Sequence, residues 1–373
     1  DFKKGDLVVS NGPHAEIVLV SKNLCAKLPI NMNEEEAVFT VISSIALQGI
    51  RLSNPSLGET FLVSGLGLIG LITAQILASQ NCIVLGIDPD KRKCDIAQSL
   101  GIKTLNLANC EEPLSWINEN SNNIGIDGAI ITASTSSSEP VHLAAKACRK
   151  RGRIILIGST GLDLKRDLFY KKELSFQVSC SYGPGRYDRN YEELGLDYPI
   201  EFVRWTEQRN FQAVLNLINE GKLKTEALIS HRFPFEKAKI AYELLIKDNS
   251  SLAMIFKYSD DIDESNKINL EDKNEKNSSQ IINYSPILGV IGAGNFASRV
   301  LIPNFSKSNA NFYGIAASEG TSSIFLGKKF GFKIVTTDVS QLIDNSKINT
   351  LLIASRHESH GELVVNGLNA KKH

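Results

Sequence analysis

The sequence predicts an α/β protein built from two doubly wound, parallel-sheet domains. Three observations predict it. Short apolar, β-branched runs alternate with amphipathic stretches from about residue 52 to 182. The same alternation restarts after residue 285. Each run opens on a glycine-rich turn between a strand and a helix, GLGLIG at 65–70 and GAGNFA at 292–297. Strands that stay apolar along their whole length belong to a sheet covered on both faces.

The elements follow in order. Residues 1–30 read as short strands, DLVVS, AEIVLVS and CAKLP. Residues 31–51 change to helical spacing, with Glu34, Glu35 and Glu36 in the first turn, where the helix dipole favours acids. TFLVSG and CIVLGID are strands, each followed by a helix, LIGLITAQILASQ and DKRKCDIAQSLG. KTLNL, IDGAIITAS, GRIILIGS and ELSFQVSCS are further strands, with helices at PLSWINEN and PVHLAAKACRKR. Residues 182–257 add the Gly/Pro loop SYGPGRYD, helices near FQAVLNLINEG and EKAKIAYELLIK, and a strand SLAMIFKY. Residues 258–285 are rich in Asp, Glu, Asn, Lys and Ser and are expected to be a solvated linker. Strands ILGVIGAG, NFYGIAAS, KIVTT and NTLLIAS then define the second run.

Composition narrows the function. Of 373 residues, 42% are hydrophobic and 22% charged, as in an ordinary globular protein with room for two or three domains. Lys+Arg and Asp+Glu balance at 41 each, which argues against nucleic acid or a polybasic membrane surface as partner. No apolar run approaches the roughly 18 residues of a spanning helix. Six scattered cysteines without a C-x-x-C fit reduced thiols and a cytoplasmic location. The chain starts at Asp1 without a Met and reads as a fragment.

Gly65, Gly67 and Gly70 have the spacing of a dinucleotide-binding turn. The first permits the turn, the second admits a pyrophosphate, and the third lets helix and strand pack closely. The N–H groups of Leu68 and Ile69 then open the helix towards the phosphates. Asp88 ends the next strand, placed for the ribose hydroxyls, and favours NAD(H) over NADP(H); Lys91 and Arg92 nearby soften that preference. A purely structural glycine turn is the alternative. Later strand ends at Thr132 and Gly158 are placed to line the nicotinamide side.

FKKGDLVV, HAEIVLVSKNLCAKLP, EEEAVFTVISSIALQGIR and the first glycine turn together resemble a medium-chain dehydrogenase/reductase, over residues 1–257. NLCAKLP, AVFT, IALQGIR and SYGPGRYDRNYEELGLDYPIEFVRWTEQRN resemble, more narrowly, the bi-domain oxidoreductases of bacterial surface-polysaccharide gene clusters. Those proteins join such a dehydrogenase to a domain of the Gfo/Idh/MocA family. The resemblance implies a Rossmann domain at 51–182 and a partial GroES-like, β-rich catalytic domain in two pieces, 1–50 and 183–257. It implies a second, truncated Rossmann domain at 286–373. It also implies a small-molecule substrate, a sugar or nucleotide-sugar, and polysaccharide biosynthesis. A homo-oligomer is expected.

Many relatives of that superfamily use zinc. No three-ligand set is visible here, and His14 reads as a surface loop residue, so no metal is expected. Tyr182 and Tyr187 are candidate proton donors and Arg186 a candidate anion clamp, all in SYGPGRYD. Arg204, with Trp205 and Arg209, is a candidate substrate contact. A rigid interdomain turn with structural ion pairs is the alternative.

The second turn, Gly292, Gly294, Asn295, Phe296 and Ala297, is a further nucleotide site, for NAD(H) or NADP(H). No acid ends its next strand, and Glu319 stands one residue beyond. His360 matches a recurring His of the Gfo/Idh/MocA family and is a candidate substrate contact; His357 reads as an ordinary loop residue. GLNAKKH resembles the stretch before that family's Glu-Lys-Pro motif. The expected function is hydride transfer between nicotinamide and an alcohol or ketone. A non-catalytic nucleotide-binding module and a zinc-independent quinone or enone reductase are the alternatives.

Overall fold

The computed structural model describes residues 2–248, 251–259, 267–270, 285–318 and 320–373. The chain divides into two compact units, residues 1–260 and 261–373. The α/β class and both parallel sheets agree with the sequence.

The first unit opens with strands β1 (Val8–Ser10) and β2 (Cys25–Lys27), paired antiparallel. Helices α1 (Glu34–Ala37) and α2 (Thr40–Ser53) follow, and the Asn33 side chain caps the first by accepting from Glu35 N. The winding then runs β3 (Thr60–Ser64), α3 (Leu68–Ser79), β4 (Ile83–Asp88), α4 (Lys91–Ser99), β5 (Lys103–Asn106) and α5 (Pro113–Glu119). It continues through β6 (Ile126–Ile131), α6 (Glu139–Ala147), β7 (Cys148–Leu156), α7 (Arg166–Tyr170) and β8 (Ser175–Val178). Helices α8 (Arg189–Glu192) and α9 (Glu207–Asn219), strand β9 (Ile229–Pro234), helix α10 (Ala238–Lys247) and strand β10 (Ala253–Lys257) complete it.

The six-stranded sheet has the order β5-β4-β3-β6-β7-β8, parallel throughout. Strand order therefore reverses on either side of β3, which makes its C-terminal end the switch point where such sheets bind ligands. Side chains alternate between two cores. Phe61, Val63, Val84, Ile130 and Ile155 face α2 and α3, while Leu62, Leu85, Ile131 and Leu156 face α5 and α6. A strand buried on both faces needs apolar residues at every position, which is why these segments carry no polar alternation.

Four local differences from the sequence reading have clear causes. AEIVLVS is not a strand: Ile17 and Leu19 stand exposed, and no strand among the described residues lies beside them. The helix expected through Arg151 stops at Ala147, because Cys148–Leu156 is taken into the sheet as β7. Strand β9, absent from the sequence reading, pairs parallel with β10. Finally, α2 crosses the boundary expected near residue 50, since Leu47 and Ile50 bury against the main sheet.

In the second unit, β12 (Ile287–Ile291), β13 (Asn311–Ala316), β14 (Ile334–Thr336) and β15 (Thr350–Ile353) are parallel, preceded by β11 (Lys267–Asn269), and the order is β11-β14-β13-β12-β15. β11 runs antiparallel beside β14, so part of the stretch expected as linker is sheet; the rest of that stretch lies mostly outside the described residues. The helix after the glycine turn is a π-type segment, Ala297–Leu301, running into α11 (Ile302–Phe305). Pro303 explains the widening, since its ring would clash with the carbonyl of Arg299 and it lacks the N–H to bond there. Helices α12 (Gly320–Phe330), α13 (Ser340–Ile343) and α14 (His360–Asn369) complete the unit.

The smaller core of the first unit gathers Val9, Leu24, Ala26, Ala37, Tyr182, Phe211 and Leu215. At its edge Glu207, the first residue of α9, is fully buried and neither carboxyl oxygen has a hydrogen-bond partner among the described residues. Burial pushes its pKa up to about 8; Glu192 adds to the rise and Arg186 opposes it. The folded chain thus keeps a proton that the unfolded chain gives up at ordinary carboxylate pH. Stability from this site is full at acid pH and falls as pH climbs towards about 8. Glu207→Gln is expected to gain on the wild type across that window and to stop gaining above it. Urea unfolding in steps from about pH 5 to about pH 9 checks this, and a pH-independent difference refutes it.

Candidate functional site

The site of the first unit is built around the turn after β3. Gly65 has φ +99°, and a Cβ there would lie 2.7 Å from Ala133 N and 2.9 Å from Ala133 Cα. The end of β6 therefore packs straight onto the turn. Gly70 is tighter still: its Cβ would fall 1.9 Å from Gly65 O. Gly67 differs. It precedes α3 with φ −66°, and a Cβ there would meet nothing within 4 Å. Two glycines let the chain fold on itself, and the third leaves a space open.

That space lies at the start of a 12-residue helix. Gly67 O accepts the first helical bond, from Leu71 N at 2.9 Å, so the N–H groups of Leu68, Ile69 and Gly70 stand free of intrahelical partners. Such a terminus favours an anion.

Asp88 ends β4 and is 5% exposed. Its Oδ2 accepts from Leu66 N at 2.7 Å and its Oδ1 from Asp90 N at 2.8 Å. The carboxylate therefore fixes the glycine turn as well as standing at the strand end, and its remaining lone pairs are available to ribose hydroxyls. Sequence reasoning missed this second task, because 22 residues separate Leu66 from Asp88. Lys91 pairs with Asp95 and Arg92 with Asp90, so both nearby cations have partners within α4 and its cap.

Thr132 and Gly158 lie against the same turn. Thr132 Oγ1 donates to Gly65 O at 2.6 Å, and a Cβ on Gly158 would lie 2.2 Å from Ala133 O. A cavity of about 310 Å³ is lined by Leu68 together with Phe39, Ile42, Tyr242, Leu245 and Phe256.

The loop after β8 separates its candidates. Tyr182 is 7% exposed, packs on Phe211 at 5.6 Å, and accepts at its hydroxyl from Asn11 Nδ2 at 3.0 Å. Burial raises its pKa. Tyr187 is 76% exposed with φ +65°. Arg186 joins them, its guanidinium 4.2 Å from the Tyr187 ring and 5.6 Å from the Tyr182 ring, while it pairs with Glu192. Arg209 pairs with Asp197, and Arg204 lies on the Trp205 ring at 3.8 Å.

In the second unit, Gly292 repeats the geometry of Gly65. Its φ is +110°, and a Cβ would lie 2.5 Å from Ala354 O at the end of the neighbouring strand. Gly294 is open, Asn295 and Phe296 are exposed, and the Ala297 methyl is buried against the strand core. His360 Nε2 is 2.9 Å from Ser355 O, and its ring meets His357 edge-on at 5.3 Å. Glu319 lies outside the described residues.

Among the described residues no group of three or more His, Cys, Asp or Glu is placed to hold a metal ion. The His14 ring packs edge-on against Phe256, and burial pushes the Cys148 thiol up to about 12, away from the thiolate a metal takes. No described helix is long and apolar enough to cross a membrane.

Two families match the chain. Zinc-binding dehydrogenase matches residues 69–196, and the Gfo/Idh/MocA oxidoreductase family, with an NAD-binding Rossmann fold, matches residues 288–373. Among curated relatives, D-guloside 3-dehydrogenase of Escherichia coli K12 is 27% identical over 255 residues, 65% of this chain and 67% of that protein. L-idonate 5-dehydrogenase of Vitis vinifera is 22% identical over 257 residues, 66% of this chain and 63% of that protein. Among solved structures, galactitol-1-phosphate dehydrogenase of Escherichia coli aligns with a TM-score of 0.52 at 22% identity, covering 64% of this chain and 65% of that one. The 2R,3R-butanediol dehydrogenase of Bacillus subtilis aligns at 0.52 and 19%, covering 62% and 60%. These structural likenesses are of fold. The chain spans about two thirds of the length of these relatives. The chain thus carries a nucleotide-binding domain of the medium-chain, zinc-binding dehydrogenase type, followed by a Gfo/Idh/MocA-type NAD-binding domain.

Proposed function

We propose that this chain is the nucleotide-binding part of an NAD(P)-dependent dehydrogenase acting on an alcohol or ketone carbon of a sugar or sugar derivative. One observation carries the reading. The turn at 65–70 is closed by backbone contacts at Gly65 and Gly70 yet open at Gly67, at a helix start, with a carboxylate ending the next strand. That is the shape and charge a dinucleotide needs: room and N–H donors for the pyrophosphate, an acceptor for the ribose. The two families and the sugar dehydrogenases among the relatives support the chemistry.

When bound, nicotinamide gives or takes the hydride. The chain's own groups do the rest. Leu68, Ile69 and Gly70 hold phosphate through N–H groups, and Asp88 accepts from ribose and prefers NAD(H), since a 2′-phosphate would meet its charge. Exposed Tyr187 and the half-buried Arg186 against its ring are the groups of the 181–188 loop proposed to move the substrate's hydroxyl proton and to orient it. The turn at Gly292 and Gly294 is the proposed second nucleotide site, for NAD(H) or NADP(H), and His360 the proposed substrate contact of that unit. A role in surface-polysaccharide synthesis rests on the resemblance of NLCAKLP, AVFT, IALQGIR and residues 181–210 alone.

Titration with NADH and NADPH, followed by a screen of sugar alcohols and ketosugars at the nicotinamide absorbance band, tests the function. Binding without any turnover would point instead to a nucleotide-sensing module. Gly67→Ala is expected to leave the melting temperature unchanged and to weaken NADH binding at the first site at least about tenfold, because the methyl enters the phosphate space and strikes nothing else. Unchanged binding by fluorescence titration would overturn the pyrophosphate assignment. Asp88→Ala is expected to weaken NADH and also to lower stability by about 1–3 kcal/mol, since Leu66 and Asp90 lose their acceptor. Loss of one effect without the other, read by titration and urea unfolding, separates the two tasks.

A further inference from the structure

Trp205 is held between two arginines. The guanidinium carbon of Arg51 is 3.4 Å from its ring centre and that of Arg204 is 3.8 Å. Two guanidinium groups so close to one centre would overlap on a single face, so they take opposite faces. Arg51 is fixed in place: its Nε donates to Asn210 Oδ1 at 2.8 Å, and Asn210, fully buried, donates from Nδ2 to Tyr182 O at 2.9 Å. Arg204 is exposed.

Neither guanidinium has an ion-pair partner among the described residues. Burial, and after it the charge of Arg204, lowers the pKa of Arg51 to about 10; no carboxylate acts against them. A half-buried cation whose charged neighbour is another cation costs free energy unless an anion joins them. The fold nevertheless keeps the pair, braced by a buried Asn.

We propose that Arg51 and Arg204, on the two faces of Trp205, bind a phosphate-type dianion, the phosphate or diphosphate group of the substrate. That the group belongs to the substrate rests on the dehydrogenase reading; the anion site does not. Two cations match two negative charges. A tetrahedral phosphate at the rim of the indole can accept from a guanidinium on each side, whereas a planar carboxylate is filled by one arginine fork.

The chain has two tryptophans, so Trp116→Phe leaves Trp205 as the single indole reporter. In the full 373-residue chain carrying that change, inorganic phosphate and pyrophosphate are expected to shift Trp205 emission saturably, and acetate far more weakly. Arg204→Gln, at an exposed position that can lose its side chain without disturbing a core, is expected to weaken phosphate binding at least about tenfold. Arg51→Gln should do the same, with circular dichroism to check that Asn210 keeps its place. No saturable response to either phosphate, or an unchanged response in Arg204→Gln, overturns the site. A response to acetate as strong as to phosphate overturns the dianion assignment. NADH titration of the same protein separates the two readings. Phosphate binding without NADH binding sinks the dehydrogenase and leaves the anion site; NADH binding without a phosphate response sinks the anion site alone.

Discussion

The first unit depends on a close approach. At the end of β3 the chain turns with a positive φ at Gly65, where a Cβ would lie within 3 Å of the Ala133 backbone and no side chain has room. That approach brings three strand ends, at Ser64, Asp88 and Thr132, to one point. Asp88 binds the turn, Thr132 Oγ1 binds the turn's carbonyl, and Gly158 lets the next strand end close over both. The result is preorganised: the backbone donors of α3 are already aimed before any ligand arrives, so binding need not order them.

The sheet order puts that point where it is. β3 lies between β4 and β6, and the connections leave it in opposite directions, which opens a crevice at its C-terminal end. In the second unit β12 lies between β13 and β15, and Gly292 repeats the approach against Ala354. The two copies differ in the helix that leaves the turn. α3 runs twelve residues without a break, while Pro303 forces the second helix through a π-type turn.

Much of this was legible in the sequence, for a physical reason. Strand, glycine turn and helix are local, and residues 60–88 carry the whole pattern within one stretch. The apolar run TFLVS reads as a doubly covered strand because each of its side chains is buried. What stayed hidden depends on distance along the chain. AEIVLVS has the composition of a strand but no strand beside it among the described residues. β9 is recognisable only through β10. Tyr182 and Tyr187 look alike in sequence, and only the fold sends one into a core and the other to solvent. Arg51 and Trp205 share no local pattern, and nothing in IALQGIR or VRWTEQRN announces that they stack.

The edge of the second sheet has a further consequence. β14 would otherwise present a row of free N–H and C=O groups, the template on which a foreign strand can grow. Three residues, Lys267–Asn269, occupy that row in the antiparallel sense. All three are exposed, and the covering strip is only three residues long. A stretch with the composition of a tether therefore also covers the edge of β14.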